Sequence, residues 1–175
     1  MFRFGYRAET IALPTLEAAP QELGAWLPQR TRWLKGWLQT WLVHMRNPSL
    51  LLGEVGLISF FYIQVLLAGM YFSGLLHPII FVSAIGYSAM LLTGFGLDDW
   101  QKWLFGLDWI VLLFSYSVFL VLGWRSLSLR ERVGFPIIVL MTPAYWLLTS
   151  YAAWLGLIEF VRHPHRWNKT PHKPG

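Results

Sequence analysis

Four long apolar runs constrain this chain more than any other feature. Residues 50–72, 77–97, 104–124 and 135–161 hold few charges. Each is long enough, as a helix rising 1.5 Å per residue, to cross the ~30 Å hydrocarbon layer of a bilayer. Only 13% of the 175 residues are charged and 55% are hydrophobic. A soluble domain carries about 25% charged residues, so there is too little charge here to cover one core in water. Trp100, Trp103 and Trp124 bracket the third run, where indole rings prefer the interface. Glycine and proline inside the runs are tolerable in a packed bundle.

The number of crossings turns on charge. Arg3, Arg7, Arg30, Arg32, Lys35 and Arg46 precede the first run and place it next to the cytoplasm. The 125–132 loop carries three Arg and one Glu, whereas 95–102 carries Asp98, Asp99 and one Lys. If all four runs cross, the Arg-rich loop falls outside and the acidic loop inside, against the charge rule. If only the second and third cross, both loops fall on the expected sides. The first run, with Glu54 and Gln64, then lies along the interface or enters and returns, and the fourth, broken by Pro136 and Pro143, lies along the interface. The fold expected is an all-α integral membrane protein: an amphipathic interface helix followed by a bundle of two to four transmembrane helices.

That interface helix precedes the first run. From Thr31 onward, Trp33, Leu34, Trp37, Leu38, Trp41, Leu42 and Met45 share one helical face, and Arg32, Lys35, Gln39 and Arg46 fall mostly on the other. With charges inside and about 16 residues, the segment suits the membrane surface, where Trp sits and Lys and Arg snorkel. Asn47-Pro48 ends it. Upstream, residues 14–28 read as a loop with a short helix at 23–27. Phe4, Tyr6, Ala8 and Thr10 alternate with Gly5, Arg7 and Glu9 as in a short strand.

Within the helix stands Gln29-Arg30-Thr31-Arg32-Trp33, a Gln-x-x-Arg-Trp pattern. With its flanks, the chain resembles over nearly its whole length the C-terminal part of membrane-bound family 2 glycosyltransferases such as cellulose and hyaluronan synthases. The resemblance implies that residues 1–28 are the end and exit loop of a catalytic domain, 29–47 the motif helix, 48–161 the membrane region, and 162–175 a cytoplasmic tail like the family's gating loop. It implies a multi-pass protein of the bacterial inner membrane with both termini cytoplasmic. It also implies a catalytic domain supplying an Asp-x-Asp site for Mg or Mn and a general base, neither of which occurs here. Without that domain, upstream or on a separate chain, no sugar transfer is expected, and no residue here is assigned a catalytic or metal-binding role.

Three residues are expected to bind donor diphosphate and acceptor. Arg32 is always charged and matches phosphate oxygens, opposing charge on the leaving diphosphate. Gln29, at i−3, shares its helical face and offers an amide. Trp33 offers a ring to an acceptor sugar. In the tail, Trp167, Lys169, Thr170 and His172 stand where the family has Phe-x-Val-Thr-x-Lys; Lys169 and His172 depart from it. Arg30 and Lys35 are assigned to lipid phosphate or the domain interface. The partners implied are the bilayer, a nucleotide-sugar and a glycan acceptor. The alternative is a small non-catalytic membrane scaffold or regulatory subunit.

Other patterns point elsewhere. Zero Cys removes disulfides, Cys-ligated zinc and thiol catalysis. The net charge of +5 suits anionic lipid, and the scattered 14 basic residues show no nucleic-acid-binding pattern. His163, His165 and His172 are split by Pro164 with no carboxylate nearby, a poor metal set. His77-Pro78 is expected to begin a span. Asp98-Asp99 reads as a solvated loop. Asp108, placed near the start of the third run, is expected to reach water, as is Glu54.

Overall fold

The computed structural model describes Tyr6, Glu9, Leu13 and residues 20–165. Among them every regular element is helical: α1 (Leu23–His44), α2 (Pro48–Ile63), a π turn (Gln64–Gly69), α3 (Met70–Leu92), α4 (Asp99–Ser126), a 3-10 turn (Glu131–Gly134) and α5 (Phe135–Arg162). Apart from Tyr6 and Glu9, which belong to no regular element, the strand expected near the N-terminus lies outside the described residues, as does the tail after His165. The all-α expectation holds for the rest. Three helical runs are long and apolar enough to cross a membrane: Pro48–Leu92, Asp99–Ser126 and Glu131–Arg162. In the most apolar window of each, only 11% of residues are buried, so most of their apolar surface needs an apolar surrounding.

Two boundaries differ from expectation. The first two apolar runs are joined into one helical stretch, and Pro78 lies inside α3 instead of opening a span. In an apolar medium a frayed helix end finds no water for its peptide groups, which favours continuing through a single lost bond. The breaks come elsewhere. Gly56 in α2 has φ 76° and ψ 167°, a region open essentially to glycine alone, and the π turn follows at Gln64. The second difference is in α1, which begins at Leu23 and runs through Pro28 without a break. Pro28 lies in the second turn, where it forfeits one bond. The guanidinium of Arg30 lies over the rings of both Trp26 and Trp33, tying the two sides of the proline together.

The chain forms two compact units, Met1–Ser73 with Tyr151–Gly175, and Gly74–Ser150. In the first, Asn47 separates α1 from α2. Its Oδ1 accepts from the Leu50 backbone N–H at 3.1 Å and Pro48 takes the first helical position, the stop and start foreseen for Asn47-Pro48. α1 then folds back onto α2 and the π turn. Trp41 Nε1 donates to Gln64 Oε1 at 2.8 Å, and its ring meets Phe72 edge-on at 5.6 Å. Tyr71, with its ring fully buried, reaches the Ala153 carbonyl on α5 at 3.4 Å.

In the second unit, α3 and α4 run antiparallel and are tied by three polar pairs. Trp109 Nε1 donates to Ser88 Oγ at 3.2 Å, Ser83 Oγ donates to the Asp108 carboxylate, and His77 Nε2 bonds the Tyr116 hydroxyl at 2.8 Å. Asp108 is buried instead of facing water, because α4 begins at Asp99. That start puts Asp108 nine residues, about 14 Å, into the helix. The start itself is set by the Asp98 N–H donating to Gln101 Oε1 at 2.9 Å and by an exposed Asp99–Lys102 pair at 2.9 Å. Asp98 and Asp99 are exposed, but they cap and open α4 instead of lying in the loop expected. Phe81, Tyr116 and Trp146 pack their rings around His77.

Gly56→Ala forces a Cβ into the φ 76° kink and is expected to cost about 1–3 kcal/mol. The SDS-unfolding midpoint of the purified protein measures this. Unfolding unchanged from wild type would mean that the kink is absent.

Candidate functional site

The unbroken helix α1 sets the geometry of the Gln-x-x-Arg-Trp residues. At 3.6 residues per turn, Gln29, Arg32 and Trp33 fall within an arc of about 100°. Gln29 and Arg32 are half-buried, and Trp33 is 43% exposed. The buried residues of α1 are Thr31, Lys35 and Leu38. Their mean direction lies roughly 140° around the axis from the motif arc. The helix therefore has one face committed to protein and another that presents the motif.

What fixes the protein face is the C-terminal half of α5. At Gly156 an added Cβ would stand 3.1 Å from the Thr31 carbonyl oxygen and 3.3 Å from the Lys35 backbone nitrogen. Only a residue without a side chain lets the two backbones come this near. Ala152 and Ala153, one turn earlier, are fully buried. At the end of α5 the ammonium of Lys35 donates to the His163 carbonyl at 2.7 Å. One turn along α1, Gln39 Nε2 donates to the Pro164 carbonyl at 2.6 Å. Both bonds fall where a helix leaves carbonyls unpaired and its dipole is negative.

Of the two roles expected for Lys35, lipid phosphate or the domain interface, the first is excluded by this contact. Lys35 is 2% exposed and serves inside the protein. Its long stem can be buried while its charge is met by a helix end, a partner that leaves no carboxylate in the sequence to signal it. The signal available was the small-residue cluster Ala152, Ala153 and Gly156, which marks a close helix contact.

On the motif face, the Arg30 guanidinium lies 4.7 Å from the Trp33 ring centroid and 5.6 Å from that of Trp26. This stack covers one side of the Trp33 indole and restrains its plane. Chemically, the arc offers one guanidinium fork, one amide and one flat apolar ring. That set can hold phosphate oxygens beside a sugar ring. The residues Trp167, Lys169, Thr170 and His172 lie outside the described residues. His163 contributes its backbone carbonyl to the Lys35 contact. Among the described residues, no group of three or more His, Cys, Asp or Glu is placed to hold a metal.

Gly156→Ala is expected to destabilise the docking of α1 by about 1–3 kcal/mol, read as a lower SDS-unfolding midpoint. A midpoint equal to wild type would contradict the close approach of α1 and α5. In comparisons with known proteins, no family model, no curated protein and no solved structure matches the chain.

Proposed function

We propose that the chain is the membrane portion of a family 2, polysaccharide-synthase-like glycosyltransferase. The reaction passes a sugar from a nucleotide-diphospho-sugar to an acceptor hydroxyl at the cytoplasmic face of the bacterial inner membrane, with both termini on that side. Base and divalent metal come from a catalytic domain, either upstream in the same protein or on a separate chain. Arg32 binds the donor diphosphate and opposes its growing charge, Gln29 adds a hydrogen bond, and Trp33 carries the acceptor sugar on its free ring face. The observation that supports this reading most is the shared arc of Gln29, Arg32 and Trp33 on α1, turned away from the buried face of Thr31, Lys35 and Leu38.

The experiment uses native membranes containing the whole protein and a panel of uridine- and guanosine-diphospho-sugars. Arg32→Ala is expected to lower transfer by about 100-fold or more while leaving the amount of membrane-inserted protein unchanged. Trp33→Ala is expected to weaken use of the acceptor. Normal transfer by both variants would refute the site. A non-catalytic scaffold, the alternative role, predicts no dependence of transfer on either residue.

A further inference from the structure

We infer that Arg30 is a binding site for the phosphate of an anionic phospholipid headgroup, held ready by Trp26 and Trp33. Arg30 and Arg32 are two residues apart, so they point about 160° away from each other around α1. The lipid site is therefore distinct from the Arg32 position and stands whether or not this chain takes part in sugar transfer.

Three observations carry the inference. First, the Arg30 guanidinium lies over two indole rings, 5.6 Å from the Trp26 centroid and 4.7 Å from that of Trp33. Stacking uses the faces of the guanidinium and leaves its in-plane N–H donors for another partner. Second, those donors make no hydrogen bond among the described residues. Nε of Arg30 is buried with no hydrogen-bond partner, and among the described residues no carboxylate pairs with the side chain. Nε is closed off inside, and the two terminal nitrogens of the half-buried side chain form the planar pair that suits two oxygens of one phosphate. Third, the surroundings belong to the headgroup level. Trp26, Trp33 and Trp37 lie within an arc of about 40° beside Arg30, and indoles concentrate at that level. In the same unit α1 folds back onto the π turn of the long apolar run Pro48–Leu92. A soluble phosphate would gain the charge contact alone, whereas a lipid also places its glycerol and upper chains against the half-buried Trp37 ring of the same arc.

The test is native mass spectrometry of the purified chain, released from phosphatidylcholine nanodiscs holding a titrated share of phosphatidylglycerol. The wild type is expected to retain one phosphatidylglycerol about tenfold more tightly than Arg30→Gln. Arg46→Gln, which alters an exposed arginine just past the far, C-terminal end of α1, is expected to match the wild type. Arg30→Lys keeps charge and helix propensity but loses the fork, and it too is expected to lose the retained lipid. Arg30→Gln or Arg30→Lys holding phosphatidylglycerol like the wild type would overturn the site. Equal retention of phosphatidylcholine would overturn the requirement for an anionic lipid. Displacement of the bound lipid by inorganic phosphate would assign the fork to a soluble anion and overturn the lipid source.

Discussion

The buried contact of Lys35 with the end of α5 is the constraint on which the arrangement of the first unit rests. Removing an ammonium from water costs several kcal/mol unless donors and charge are met. Here the Lys35 ammonium meets the His163 carbonyl at the negative end of a helix, and Gln39 meets the next carbonyl. These bonds need the two backbones close together, and the bare Gly156 makes that possible. The polar contact and the glycine are thus one device. It fixes the rotation of α1 about its axis, and that rotation decides which residues are left facing outward. Gln29, Arg32, Trp33 and Arg30 owe their positions to a lysine that touches none of the proposed ligands.

The second unit is held by a different economy of polar groups. Ser88–Trp109, Ser83–Asp108 and His77–Tyr116 form rungs between α3 and α4, each satisfying a group that apolar neighbours could not. In a bilayer such bonds contribute modestly, on the order of 0.6 kcal/mol each, because the separated helices find other partners. Their larger effect is on register. A slip of α3 along α4 would leave the Asp108 carboxylate and the His77 ring facing hydrocarbon, and that penalty selects one alignment.

Much of this was legible in the sequence, and the failures share a cause. The helical third and fourth apolar runs, the helix stop at Asn47 and the helical character of the motif segment follow from local composition and spacing, whereas the first two runs are joined into one stretch and α1 starts earlier than read. Helical periodicity groups Lys35 with Arg32 and Gln39 on the polar side, which leaves lipid phosphate or a domain interface as its expected partner. Lys35 bonds a backbone carbonyl 128 residues away, a contact that no local pattern reveals. Asp108 was placed near water because the third run was started at its first long apolar stretch. The Asp98–Gln101 cap begins α4 five residues earlier and carries Asp108 inside. Pro78 and Pro28 read as boundaries by their chemistry, yet both are absorbed, one by an apolar setting and the other by a cation stacked between two indoles. For the candidate site, the sequence supplied the residue identities. It could not supply the direction of the arc they share, because that depends on Gly156.

The most direct measurement is the rate at which each lysine of the native protein reacts with a small amine-acetylating reagent, resolved by peptide mass spectrometry. Lys102, whose side chain is 61% exposed, is the internal reference for Lys35, which is 2% exposed. The structure predicts that Lys35 is protected by at least about tenfold relative to Lys102, a difference that disappears when the protein is unfolded in SDS. Equal labelling of Lys35 and Lys102 in the folded protein would mean that α1 is not clamped to the end of α5, and the account of how the motif face is set would be wrong.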